Sequence, residues 1–166
     1  MPKLLKGNSV IDNSWQVLAK DFTGALPDTP CFVPLEYWLA NKENLQTPET
    51  IGVWLDSDQE PEEIAGDIED LQYLAVNFPT FTDGRGFSIA RLIRDRYQFT
   101  GELRAIGEIV RDQLFYLSRC GFDAFCLAPL ELDQETRSFE DYLSPFSVTY
   151  QASANEPQPL FRRKQG

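Results

Sequence analysis

Residues 78–125 read FPTFTDGRGFSIARLIRDRYQFTGELRAIGEIVRDQLFYLSRCGFDAF, and the alternation within this block decides the fold. An apolar run at 74–78 has the length and composition of a strand. It passes through the glycine turn TDGRG (82–86) into an amphipathic stretch at 88–97, where Ile89, Leu92 and Ile93 share one helical face. Thr100-Gly101 ends that helix. A third strand is predicted at 102–106 and a helix at 108–119, with Val110, Leu114 and Leu117 on its apolar face. Cys120-Gly121 supplies a C-terminal glycine cap. A last strand is predicted at 122–127, before Pro129. Upstream, Ile51–Leu55 reads as a strand, followed by the acidic DSD at 56–58. A helix is predicted over Pro61–Asp70, with proline in its first turn. Four strands separated by three helices imply parallel neighbours with right-handed crossovers. The expected fold class is therefore α/β, a four-stranded parallel sheet of βα units. A half-barrel and an open sheet both satisfy it.

Outside this core the signals thin out. Residues 1–45 read as a peripheral, irregular N-terminal segment, with a short strand within 14–20 and a helix at Leu35–Asn41. Pro27, Pro30 and Pro34 break regular structure between them. A helix near 139–143 and an extra C-terminal strand at 146–151 complete a single domain spanning 1–151, whose βα core is 50–130. Residues 152–166 read as a flexible tail.

At 166 residues the chain is long enough to bury one real core. Its net charge of −11 argues against nucleic-acid partners, which require a basic surface. No apolar run is long enough to span a bilayer and none resembles a signal peptide, so the expectation is a cytoplasmic protein without a membrane partner. There is no histidine, which removes Ser-His and Cys-His nucleophile pairs and histidine metal ligands. Three cysteines without a CxxC cannot supply a four-cysteine cluster, and Cys120 and Cys126 read as buried thiols rather than a redox pair. Neither a GxGxxG nor a P-loop is present. The expected cofactor complement is none.

The candidate site centres on the glycine turn. Seven of the fifteen basic residues lie within 80–120, all of them arginine, against five acids; the rest of the chain is strongly acidic. Arginine suits planar oxyanions and carboxylates. Arg91 with Asp95, and Arg111 with Glu108, have helical spacing for local ion pairs. Arg85 has no such partner and lies inside the turn. Thr82, Asp83, Gly84, Arg85 and Gly86, with Arg104 and Glu108, are the candidate anion- or partner-binding residues. Gly84 and Gly86 would let backbone amides approach an anion, and Thr82 or Asp83 would cap the helix. Strand ends of a parallel sheet share one edge. Asp56, Asp58, Asp83 and Glu108 would converge there, an alternative set for Mg²⁺ or acid–base work. Phe81 and Phe87 flank the turn as a hydrophobic staple or a pocket lining.

The segments FPTFTDGRGFSIARLIRD, GELRAIGEIVRDQL and FYLSRCGFDAF, with FSVTYQ at 146–151, resemble a bacterial domain family of unknown function described as an oxidoreductase of sulfite reduction. The resemblance covers roughly residues 50–151 and is most specific over 78–125. It implies assimilatory sulfate reduction as the process and the haemoprotein of sulfite or nitrite reductase as a partner. It supplies no catalytic residues. Two readings follow. One is an accessory protein binding that haemoprotein or a small oxyanion through the Arg-rich turn. The other is an enzyme, a reductase or an Mg²⁺-dependent enzyme of phosphate-like substrates, using the strand-edge carboxylates.

Overall fold

The structure, a computed structural model, describes residues 3–7, 9–45 and 48–127. The helix expected near 139–143, the strand at 146–151 and the tail at 152–166 lie outside the described residues. Among the described residues eight strands form one open, curled sheet of half-barrel type, in the order β2-β1-β8-β7-β6-β5-β4-β3. They are β1 (Lys3–Lys6), β2 (Ser9–Asp12), β3 (Gln16–Val17), β4 (Cys31–Pro34), β5 (Ile51–Leu55), β6 (Tyr73–Phe78), β7 (Glu102–Gly107) and β8 (Ala124–Phe125). From β3 to β8 every neighbouring pair is parallel and in sequence order. The β1–β2 hairpin joins antiparallel, through Leu5 opposite Phe125.

The four expected strands are there and parallel, but the sheet is twice as wide as the four-stranded expectation. The correction comes from the N-terminal segment, which is not peripheral. It contributes four strands, and Leu4, Leu5, Cys31, Phe32 and Val33 are buried. The prolines misdirect the sequence reading because they bracket β4 rather than interrupt it. Leu18 N–H donates to Phe32 O, so alternate residues of β4 face β3. Pro34 faces the same side, past the end of β3, where its missing N–H forfeits no ladder bond. It then leads directly into helix α1 (Leu35–Asn41).

The crossovers lie on one face. Helix α1, the 3₁₀ segment Pro61–Asp70, helix α2 (Arg85–Arg91) with the turn Leu92–Arg96 that continues it, and helix α3 (Leu114–Cys120) bury Leu35, Ile64, Ile68, Ile89, Ile93, Leu114 and Leu117 against Val33, Val53, Leu74, Val76 and Leu103. Strand β5 is buried along its whole length, as an interior parallel strand with both faces covered should be. The other face carries a second cluster, Phe32, Trp54, Ala75 and Ile106, with Trp15 and Tyr73 packed on it. Gly121 takes the left-handed C-cap of α3, φ +115, as read from the sequence.

Two helix starts move. The segment expected at 88–97 begins at Arg85 and continues beyond α2 as a π turn, Leu92–Arg96. That turn carries Arg94, whose side chain is 5% exposed. Its Nε donates to Gly121 O, Nη1 to Phe99 O and Gly101 O, and Nη2 to Asp123. The segment expected at 108–119 is a 3₁₀ turn, Arg111–Gln113, followed by α3; residues 108–110 complete the crossing from β7.

Candidate functional site

The carboxyl ends of β5 and β6 bring together side chains far apart in sequence. Asp56 follows β5 directly. Its Oδ1 accepts from Ser57 N–H at 2.9 Å and from Asn77 Nδ2 at 3.0 Å, and its Oδ2 accepts from Lys20 Nζ at 3.1 Å. Burial would push the Asp56 carboxyl up, but those three donors outweigh it and hold the group below the usual carboxylate range. Lys20 also bridges to both oxygens of Asp58, at 3.0 and 3.2 Å. That pairing, opposed by partial desolvation, raises the Lys20 ammonium above its ordinary value.

The TDGRG turn lies beside this network. Asp83 Oδ1 accepts from Arg85 N–H at 3.1 Å and from Arg85 Nε at 3.0 Å, and Oδ2 accepts from Nη2 at 2.7 Å. The pair is a bidentate fork on an Asx turn. The Arg85 guanidinium holds the Asp83 carboxyl far below the usual range. Arg85 Nη2 also donates to the hydroxyl of Ser57, which is buried, at 2.9 Å. Arg85 is therefore not unpartnered, as its sequence context suggested. It is clamped in place with 60% of its side chain exposed, and its Nη1 has no acceptor among the described residues.

The two glycines do different things. Gly84 precedes α2 in ordinary right-handed conformation. Gly86 lies inside the helix and is buried, and a Cβ there would sit 2.6 Å from the Phe78 ring. Its small size lets α2 close onto β6; this, rather than approach to an anion, accounts for the glycine. Thr82 exchanges a hydrogen bond with Thr80 at 3.1 Å, leaving the turn's capping to Asp83.

The aromatic residues around the turn divide as well. Phe87 packs on Phe78 at 5.2 Å and edge-on to Tyr116 at 4.8 Å between ring centroids. Phe81 does not staple the helix: it is 53% exposed, and Tyr116 is 46% exposed. The Phe81 backbone is nevertheless held, its carbonyl accepting from Gln113 Nε2 at 2.8 Å. The carboxyl edge thus presents two exposed rings and a fixed guanidinium.

Two of the sequence-derived candidates are placed elsewhere. Arg104 sits mid-strand in β7, opposite Ala75, and is 2% exposed. Its guanidinium donates to Glu102 Oε2 and Asn13 Oδ1 and lies over the Phe32 and Trp15 rings. It is a structural ion pair on the second face of the sheet, away from the turn. Glu102 Oε1 lies 2.7 Å from Lys6 Nζ but outside hydrogen-bonding geometry, so that contact is charge pairing without a directed bond. Glu108 is exposed just past the end of β7, where its backbone N–H donates to Phe78 O at 2.7 Å, and it does not gather with Asp56, Asp58 and Asp83 into a metal-ligating group. Among the described residues no three acidic or cysteine side chains gather as a metal site. Asp56 and Asp58 are bound to Lys20, and Asp83 is bound to Arg85. Sequence reasoning missed Ser57, Lys20 and Asn77. The polar Asn77 inside the apolar run YLAVNF was the one available signal.

A family model described as "Bacterial protein of unknown function (DUF934)" matches residues 52–161. The chain belongs to this family. The matched region starts within β5 and takes in the Asp56 network and the TDGRG turn, while β1 to β4 precede it. No curated protein matches the chain. Among the described residues no helix is long and apolar enough to cross a membrane.

Proposed function

We propose that this DUF934 protein is an accessory protein of assimilatory sulfite reduction that docks the haemoprotein of sulfite or nitrite reductase through the carboxyl edge of its sheet. The observation that carries the docking surface is Arg85, fixed by Asp83 and Ser57 beside the exposed Phe81 and Tyr116. Exposed aromatics beside a pre-oriented arginine have the composition of an interface hot spot, and clamping the guanidinium beforehand lowers the entropy lost on binding. The process is what the resemblance of residues 78–125 implies.

A docked protein suits this edge better than a free oxyanion. Lys20 and Arg85 face three carboxylates there, Asp56, Asp58 and Asp83, within a chain of net charge −11. That field repels a small dianion at long range and steers a partner with a basic rim. Arg85 Nη1 then takes one acceptor from the partner while Phe81 enters an apolar pocket. Affinity purification of the full chain from native cells should recover the haemoprotein, and Phe81→Ala with Arg85→Ala should weaken its binding by at least about tenfold, the scale of a lost hot spot. Recovery of the haemoprotein at equal affinity by wild type and variant would refute the edge as the docking surface. Failure to recover it at all would refute the assigned partner.

A further inference from the structure

A second site lies at the opposite, amino-terminal edge of the sheet. A cleft of about 490 Å³ opens between the end of α1, the start of β5 and the end of the 3₁₀ segment Pro61–Asp70. That volume is in the range of small-molecule sites. Its floor is apolar, built from Trp38, Ile51 and Leu71, with Leu45 at the side.

The rim is acidic in a way the fold does not require. Asp67 is fully engaged: its Oδ2 accepts from Trp38 Nε1 at 3.1 Å, and both its oxygens accept from Lys42 Nζ. Glu43 and Asp70 also line the cleft, and neither has an ion pair or hydrogen bond among the described residues. Asp67, Glu69 and Asp70 all fall at the end of the 3₁₀ segment, whose last turn has no basic residue; α1 is capped by Lys42, but that ammonium is taken up by Asp67. A helix end carries exposed carbonyls and partial negative charge, so acids at that position are placed against the dipole. The end of the 3₁₀ segment and two unpaired carboxylates therefore give the cleft a negative potential over an apolar floor that includes the Trp38 ring.

We propose that this cleft binds a small organic cation, an ammonium or guanidinium group carried on a short alkyl chain. The alkyl part lies on Trp38, Ile51 and Leu71, and the charged head is held between Glu43 and Asp70, with the Trp38 face adding cation–π attraction. The site shares no residue with the docking edge and stands independently of it.

Titration of the ¹⁵N-labelled full chain with n-butylguanidinium, using butyramide as the neutral control, tests this directly. Of the three indole N–H signals, that of Trp38 should shift saturably, while those of Trp15 and Trp54 stay in place. The Glu43→Gln, Asp70→Asn double variant changes only exposed side chains and should bind about three- to tenfold more weakly, as expected for two partly screened charges. Raising the salt concentration should weaken binding to the wild type in the same direction. An unsaturable response, an equal response to butyramide, or an affinity indifferent to both the double variant and salt would overturn the assignment.

Discussion

Arg94 offers the sharpest test of how the βα units are held together. Its guanidinium donates to the carbonyls of Phe99, Gly101 and Gly121 and to the Asp123 carboxylate, and it lies 5.4 Å from the Phe99 ring centroid. These partners belong to the loop before β7 and the turn before β8, so one side chain links both crossovers. Replacing Arg94 by Ala removes the donor to three carbonyls and leaves Asp123 with the Leu103 N–H alone. Each charge-assisted bond contributes about 1.5–3 kcal/mol net. The sum overstates the loss because Asp123 is 38% exposed and regains water. Removing one member of a buried pair costs about 3–5 kcal/mol, and about 4 kcal/mol is expected here. Arg94→Lys keeps the charge but cannot reach all four acceptors, for an expected cost of about 2 kcal/mol. Urea unfolding followed by circular dichroism measures both. Should the alanine variant fail to fold, the lysine variant still reports. A loss below about 0.5 kcal/mol for lysine, or about 1 kcal/mol for alanine, would refute the structural role assigned to Arg94.

Three further outcomes follow from the geometry. Gly86→Ala drives a methyl into the fully buried Phe78 ring, so urea unfolding should show a loss of about 1–3 kcal/mol; an unchanged midpoint would mean that α2 can lift off β6. Asp56 has a lowered folded pKa, so its stabilisation is present above its ordinary value of 3.8 and is lost as pH falls through the lower folded value. Asp56→Asn should therefore flatten the acid limb of a stability–pH curve below about pH 4, and an unaltered limb would contradict the donor set assigned to Asp56. Burial pushes the Cys126 thiol up to about 11, against the opposing pull of the Arg104 charge. Its folded-state advantage is then complete below the ordinary value of 9.0 and lost as pH rises through about 11. Native alkylation of Cys126 by iodoacetamide at pH 8 should be far slower than after unfolding, as mass spectrometry would show, and equal rates would place the thiol in the open.

The parallel core was legible because its strands are nearly continuous apolar runs. Ile51–Leu55 is buried at every position, and no polar residue obscures it. Strand β4 was not legible, because CFVP follows Pro30 and ends in Pro34, and those prolines read as breaks. Only the end of β3 at Val17 makes Pro34 acceptable, and that is a tertiary fact. The start of α2 was misplaced for a related reason. Gly86 reads as loop, yet it is helical and small because Phe78 lies against it. At the candidate site the sequence located Arg85 and Asp83, which are local to each other. It could not place Ser57 or Lys20, since contact with Ser57 depends on how β5 and β6 align and contact with Lys20 on how β3 lies across β4 from β5. Arg104 shows the converse. The strand containing it was read correctly, but its fate depends on Asn13 and Trp15 folding over that face.

The docking claim is tested most directly by hydrogen–deuterium exchange of the full chain, alone and mixed with the sulfite or nitrite reductase haemoprotein. The account expects slowed exchange at the backbone of 80–88 and 112–117, around Phe81, Arg85 and Tyr116, with the amino-terminal cleft around Trp38 unaffected. Protection confined to other surfaces, or no change at any concentration of the haemoprotein, would contradict it.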